Sequence, residues 1–382
     1  MAQIGAEVDG IRLQAPADES FVDHRLSLSP DIFELEMRRV FPRSWVLVAD
    51  TDQLVEPGDY VTDWVGYEPV VVVRDKSGLI RSFTNVCPHR AALVASGSGN
   101  CGRALTCPYH GWRFDLGGRL VSAPHRAGFA APLKLDDWGL QEFRTDMWER
   151  FVFVNISGDA PPLLEWLEDL PEVLKNHHIS SQHRTYDLDD EVAANWKLFV
   201  DNGYCDYHVP FVHGSVASTV RDMRWAEEKT GVYTNQLRLE LNDVGKSLRT
   251  PWPDLDDDAR DATFAFGVFP NLLLLAFSDG GVHVLWWSPM AVDRTRARVQ
   301  TYSHSRSDEG SIRAGKEAVA AVQYEDIAIV EKVQLGIQSS GYHPGPRHRL
   351  EDRVAGFQRQ LMRMLTEDEG EDRQETEEAD RC

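Results

Sequence analysis

Long apolar runs are missing from this chain, and so is any excess of positive charge. The longest uninterrupted apolar stretch, Leu272 to Phe277, is far short of the roughly 20 residues a membrane-spanning helix needs. The first residues, MAQIGAEVDG, have neither the basic start nor the apolar centre of a secretory leader. Lysine and arginine total 40 against 61 aspartates and glutamates, a formal charge of −21. That balance argues against nucleic acid and against an anionic membrane surface as partners. Cysteine is scarce too: five in 382 residues cannot make a disulfide framework. Cys101, Cys205 and Cys382 read as free thiols of a reducing compartment, so a soluble cytoplasmic protein is expected. No internal repeat is visible.

What is present is concentrated between Cys87 and Phe114. Two short ligand pairs, Cys87-Pro-His89 and Cys107-Pro-Tyr-His110, stand seventeen residues apart. Each offers one thiolate and one imidazole. Four such ligands could hold a tetrahedral zinc, but a C-x-H pair answering a C-x-x-H pair suits a two-iron cluster, with both cysteines on one iron and both histidines on the other. Pro88 and Pro108 follow the two cysteines alike, so the loops look like matched halves of one cap.

The surrounding pattern is α+β. Ser29-Pro30 opens a packing helix that places Ile32, Phe33, Met37, Val40 and Phe41 at helical spacing. From Trp45 the period changes to two, and WVLVAD, DYVTDWV, PVVVVRD, LIRSFTNV, ALTCPYHGWRFD, RLVSA and ERFVFVNI read as strands separated by turns such as Pro57-Gly58 and Gly117-Gly118. This predicts an N-terminal helical segment over 1–44 and a small antiparallel β domain over 45–156. A second domain is expected over 157–365, beyond the linker Asp159-Ala160-Pro161-Pro162. Its six strand candidates, between Thr185 and His304, supply a larger antiparallel sheet crossed by helices from about Ala194 and Glu317. Residues 366–382 carry nine acids and two arginines and are expected to be an acidic, disordered tail.

A second metal centre is suggested by Asn195 to His213, NWKLFVDNGYCDYHVPFVH. In helical projection Trp196, Phe199, Val200, Gly203 and Tyr207 share one face, His208 ends the helix before Pro210, and His213 can turn back toward it. Two neutral imidazoles call for a carboxylate to complete one face of an octahedral iron. Between Glu317 and Gln338 a helix is expected with Val319, Val322, Ile329, Val330, Val333 and Ile337 on one side. Asp326 falls within that stripe and Glu325 points away. A carboxylate among valines and isoleucines costs several kcal/mol unless a cation neutralises it. His208, His213 and Asp326 are therefore the candidate 2-His-1-carboxylate site, the alternative being core histidines with an acid paired to an arginine. Phe199, Phe211, Phe264, Phe266, Phe277 and Trp286 are candidates to line a pocket, though most suit a core equally well.

With both sets of residues in place, the chain resembles the Rieske non-haem iron oxygenases of the aromatic-ring-hydroxylating dioxygenase alpha-subunit type. The C-x-H, C-x-x-H spacing carries the resemblance. So do N-W-K followed by Y-H-x4-H at Asn195 to His213, and E-D-x-x-I at Glu325 to Ile329, covering nearly everything up to Leu365. It implies a helix-grip, START-like catalytic domain beside the Rieske domain. Cys87, His89, Cys107 and His110 would hold a [2Fe-2S] cluster, and His208, His213 and Asp326 a mononuclear Fe(II). Electrons from NAD(P)H would come through a ferredoxin or flavin reductase, with O2 as co-substrate and an organic, aromatic substrate hydroxylated. An N- or O-demethylating monooxygenase is the alternative within the family, and an electron-transfer or ligand-binding protein without oxygenase activity is the alternative outside it. The resemblance also implies a head-to-tail homotrimer that brings His110 near the next subunit's iron. An acid three residues before the first histidine ligand would bridge the two centres. Here Cys205 stands at that position, and Asp206, one residue later, is the candidate for the role: either a one-residue bulge swings it inward, or the bridging role is altered in this chain.

Overall fold

A computed structural model describes residues 7–17, 19–223, 226–304 and 309–367. Two compact units result: Phe41–Ser181, and a second that joins the chain up to Val40 to the chain from Gln182 onward. From residue 368 the expected acidic tail lies outside the described residues. At the N-terminal end a small hairpin, β1 (Glu7–Val8) and β2 (Ile11–Arg12), precedes α1 (Pro30–Leu35). The Ser29 hydroxyl accepts from the Ile32 N–H at 3.2 Å, and Pro30 occupies the first turn. Beyond Leu35 the helix widens into a π turn, Glu36–Val40, that buries Met37, Val40 and also Glu36. A carboxylate can lie there because Lys197 meets it at 2.7 Å and the Trp196 indole N–H donates to it at 2.8 Å.

Within Phe41–Ser181 the strands are β3 (Val46–Asp50), β4 (Asp59–Val65), β5 (Glu68–Arg74), β6 (Ile80–Thr84), β7 (Ser98–Asn100), β8 (Ala104–Thr106), β9 (Arg113–Asp115), β10 (Leu120–Ser122), β11 (Glu142–Trp148) and β12 (Phe151–Asn155). A seven-stranded antiparallel sheet runs β3-β12-β11-β6-β5-β4-β7, and β10-β9-β8 form a separate three-stranded sheet. Val70, Val71, Val72 and Val73 of β5 are fully buried. The expected strand from Ala104 to Asp115 is broken in two, because the residues between β8 and β9 turn to form a ligand loop. β7 was not expected: it is an exposed edge strand of Ser, Gly and Asn, with no apolar alternation to mark it. Two short helical turns, α2 (Leu163–Trp166) and α3 (Leu170–Val173), follow β12.

The other unit is built on a second seven-stranded antiparallel sheet. Its strands are β13 (His183–Val192), β14 (Glu227–Thr230), β15 (Thr234–Glu240), β16 (Ala262–Val268), β17 (Leu272–Ala276), β18 (Val282–Ala291) and β19 (Arg294–Ser303), ordered β13-β19-β18-β17-β16-β15-β14. Helices α4 (Trp196–Gly203), α5 (Val209–Val212), α6 (Gly214–Ala217), α7 (Asp243–Leu248), α8 (Asp257–Arg260), α9 (Glu309–Gly336) and α10 (Asp352–Thr366) accompany it. Two glycines fix how closely α4 approaches the sheet. A Cβ at Gly203 would lie 2.4 Å from the Trp287 ring, and one at Gly267 would lie 2.4 Å from the Tyr204 ring. This is the α+β helix-grip arrangement expected.

The helix carrying the histidine segment ends earlier than its spacing predicts. α4 stops at Gly203, and Tyr204 caps it while its hydroxyl donates to the carbonyls of Leu272 and Val268 at 2.8 and 3.3 Å. Tyr207 is therefore 46% exposed instead of sharing the buried face. Pro210 does not stop a helix from above; it sits in the first turn of α5. Among the described side chains of α9, Gln323, Val330 and Gln334 are buried, as is Ile337 just past its end, whereas Val333 is 41% exposed. The buried face is narrower than the valine and isoleucine spacing suggests, and glutamines complete it.

Candidate metal centres

The two ligand loops of the smaller unit have the same backbone. The Cys87 N–H donates to the Ala92 carbonyl at 2.9 Å, and the Ala91 N–H returns to the Cys87 carbonyl at 2.9 Å. The Cys107 N–H donates to the Trp112 carbonyl at 2.8 Å, and the Gly111 N–H returns to the Cys107 carbonyl at 3.0 Å. Both turns close through a residue in the left-handed region, Ala91 at φ 56° and Gly111 at φ 69°. Each loop thus presents its cysteine in the same way, with the histidine two residues later in the first loop and three residues later in the second. Cys87 and Cys107 are buried, and the His89 and His110 rings lie 4.6 Å apart. Trp112 stacks on His89 at 4.8 Å, and Tyr109 tilts over His110 at 3.8 Å.

The donor chemistry fits an iron–sulfur cluster. The Nδ1 atoms of His89 and His110 are both buried without a hydrogen-bond partner, so each ring keeps one nitrogen unclaimed at the loop tip. Burial, His110 and Arg90 hold His89 below the usual imidazole range, which favours the neutral, ligating form. Burial, reinforced by neighbouring Cys107, pushes the Cys87 thiol up to about 11. A thiolate pair there needs a cation to offset it. Cys101 is occupied elsewhere, its thiol donating to the Gly58 carbonyl at 3.2 Å.

In the larger unit the ligand atoms of His208, His213 and Asp326 lie within 4.8 Å of one another, the one such group of histidine, cysteine and acid found among the described residues. The short helix α5 separates the two histidines and sets their rings 5.1 Å apart. Asp326 comes from α9. Its Oδ1 lies 2.8 Å from His213 Nε2 and 3.5 Å from His208 Nε2, and it accepts from Asn202 Nδ2 at 2.8 Å. Burial alone would raise the Asp326 carboxyl, but these bonds from His208, His213 and Asn202 outweigh it and bring it to about 2. A carboxylate kept ionised with two imidazole nitrogens converging on it can take a divalent cation in an open, three-ligand arrangement.

Two residues at this centre escape a reading of the sequence. Asn202 is the last polar side chain before α4 ends, and nothing in its spacing marks it. Glu325 was expected to point away; its side chain is half exposed, yet Oε2 lies 2.8 Å from His213 Nδ1. The adjacent Glu-Asp pair was the available signal, since a ligating histidine usually gives its second nitrogen to a carboxylate.

Asp206 is placed differently from the expectation that a helical bulge turns it toward His208. Residues 204–208 are not helical, so no bulge is needed or formed. The Asp206 carboxylate is buried against Arg353, which donates to its oxygens at 3.2 and 3.1 Å. Its backbone N–H donates to the Leu350 carbonyl at 3.0 Å. His208 Nδ1 is buried without a partner, and the Cys205 thiol lies 3.9 Å from Glu351 Oε1. Asp201 receives Gln358 Nε2 at 3.3 and 3.2 Å, and burial pushes it up to about 7. Of the candidate pocket aromatics, Phe199, Phe264, Phe266 and Trp286 are buried, while Phe211 is 79% exposed.

Comparison with known proteins accords with both centres. The Rieske [2Fe-2S] domain matches residues 44–143, and the ring hydroxylating alpha subunit (catalytic domain) matches residues 175–367. The carnitine monooxygenase oxygenase subunit of Acinetobacter pittii is 28% identical over 327 residues, covering 82% of this chain and 84% of its own length. The chloroplastic choline monooxygenase of Arabidopsis thaliana is 28% identical over 340 residues, covering 83% of this chain and 76% of its own. A crystal structure of a quaternary ammonium Rieske monooxygenase in complex with L-carnitine superposes with a TM-score of 0.78 at 25% identity, covering 91% of this chain and 96% of the other. The chain belongs to the ring-hydroxylating alpha-subunit family of Rieske oxygenases, and it is the oxygenase component of a system that uses a [2Fe-2S] cluster, mononuclear Fe(II) and O2.

Proposed function

We propose that this oxygenase hydroxylates a C–H bond of a quaternary ammonium compound, with Cys87, His89, Cys107 and His110 holding the cluster and His208, His213 and Asp326 the mononuclear iron. The convergence of the three candidate ligands within 4.8 Å carries the iron assignment. The substrate class rests on the relatives that share most of their length with this chain, named for choline and carnitine. The benzene 1,2-dioxygenase alpha subunit of Pseudomonas putida, 30% identical, covers only 60% of this chain and 51% of its own length. When bound, the two iron centres supply the electrons and the activation of O2. The chain's own residues do the rest: Asn202 orients the Asp326 carboxylate, and Trp112 and Tyr109 hold the rings of His89 and His110.

On this reading residues 45–156 are the electron-accepting domain and the catalytic one, expected over 157–365, begins at Gln182, since residues 157–181 belong to the same compact unit as 45–156. The working assembly is a head-to-tail homotrimer in which His110 of one subunit approaches the next subunit's iron. Exposed rings beside each set of candidate ligands, Tyr109 at 53% and Phe211 at 79%, support a surface that associates. The described cysteines outside the cluster, Cys101 and Cys205, are not joined in a disulfide, which supports a reducing cytoplasm.

The test is turnover with a ferredoxin and reductase pair under 18O2, offering choline, carnitine and a monocyclic arene in parallel. One labelled oxygen in the product of an ammonium substrate supports the proposal. Two labelled oxygens in a cis-diol of the arene, with the ammonium compounds inert, replace it with ring dihydroxylation. Sedimentation at micromolar concentration checks the trimer.

A further inference from the structure

Helix α9 offers two consecutive acids to one histidine ring. Asp326 Oδ1 lies 2.8 Å from His213 Nε2, and Glu325 Oε2 lies 2.8 Å from His213 Nδ1. The ring is gripped at both ends by a single helical turn. His208 differs: its Nε2 is 3.5 Å from Asp326, and its Nδ1 is buried with no partner. A neutral imidazole carries one proton, and the nitrogen that bears it is the one that cannot ligate. An acid fixed at Nδ1 therefore directs the proton there and leaves the Nε2 lone pair for a metal.

We propose that Glu325 is a positioning residue for mononuclear metal binding, holding His213 as its Nδ1–H tautomer with Nε2 aimed at the ion. The inference rests on the assignment of His208, His213 and Asp326 as ligands. Glu325 reaches the metal only through His213. His208 has no equivalent support, so the two histidines contribute unequally to retention of the ion.

The experiment uses the full-length chain carrying its cluster, prepared as wild type, E325A and E325Q, with mononuclear affinity measured by competing Fe(II), and separately Co(II), against a chelator. Glu325 is half exposed, so thermal unfolding should be nearly unchanged in both variants. E325A should bind the mononuclear ion about 10- to 100-fold more weakly, with visible cluster absorption unaltered. E325Q retains a carbonyl that accepts the Nδ1 proton and should keep most of the affinity. In the Co(II) protein, one paramagnetically shifted, slowly exchanging N–H proton should be present in wild type and E325Q and lost in E325A. Equal affinity in wild type and E325A overturns the inference, and so does E325Q falling as far as E325A. If wild type itself holds no mononuclear ion while its cluster is intact, the ligand assignment fails as well, which separates the two results.

Discussion

Replacing Arg353 with methionine tests whether Asp206 is held as the structure places it. Arg353 is fully buried and donates to Asp206 at 3.2 and 3.1 Å and to Asn235 at 2.8 Å. Its guanidinium lies 5.6 Å from the Tyr204 ring centre. Methionine keeps much of the volume and removes the charge, so the loss reports on the abandoned carboxylate. Removing one partner of a buried pair costs about 3–5 kcal/mol, which for a unit of this size lowers Tm by roughly 6–20 °C. The loss should depend on pH with a definite sign. Burial already raises the Asp206 carboxyl, and Arg353 is the main opposing influence. Without the arginine its folded pKa moves further above the unfolded value of about 3.9. The folded state then binds the proton more tightly, and stability is lost as pH rises through the folded pKa. R353M should be closest to wild type near pH 5 and furthest from it near pH 8, and D206N combined with R353M should recover part of the deficit at pH 8. Urea unfolding followed by circular dichroism at the two pH values measures this. A loss under about 1 kcal/mol, or one that grows toward acid pH, would refute the buried pair.

Two further substitutions probe the ground around the histidine segment. G203A places a methyl group 2.4 Å from Trp287 and 3.3 Å from Leu273; overpacking of that kind costs about 1–3 kcal/mol. It should also loosen Asn202 from Asp326, so urea midpoint and mononuclear iron retention should fall together. D201N removes a carboxyl that burial pushes up to about 7. An acid with a raised folded pKa destabilises as pH climbs from the unfolded value through the folded one, so D201N should gain about 1–3 kcal/mol at pH 8 and nothing at pH 4. Thermal scans at those two values check it, and a gain confined to pH 4 would contradict the sign.

Legibility followed the reach of each interaction. Valine-rich strands such as β5, buried along their length, declare themselves by composition, and Ser29-Pro30 declares a helix start by local capping chemistry. The cluster pairs were visible because both ligands of each pair sit in one turn and repeat the same proline. His208 and His213 were visible because only the short helix α5 separates them. What failed depended on distant partners. The end of α4 is set by Gly203 meeting Trp287 and by Tyr204 reaching β16 and β17 carbonyls, and none of these is local. Asp206 was read as if it lay on a helix, whereas a residue 147 positions along the chain decides where its carboxylate goes. Glu325 was read from helical phase alone; a long side chain at the edge of a buried face can still reach a ring there.

The measurement that bears most directly on the two-centre account is iron analysis, with electron paramagnetic resonance, of anaerobically prepared wild type and D326A. Wild type should hold the cluster's two irons and one more, and give a paramagnetic signal after dithionite. D326A should keep the cluster signal and its two irons while losing the third and all turnover. A D326A protein that retains the third iron and still consumes O2 with product formation, or a wild type with no dithionite-induced signal after reconstitution, would contradict it.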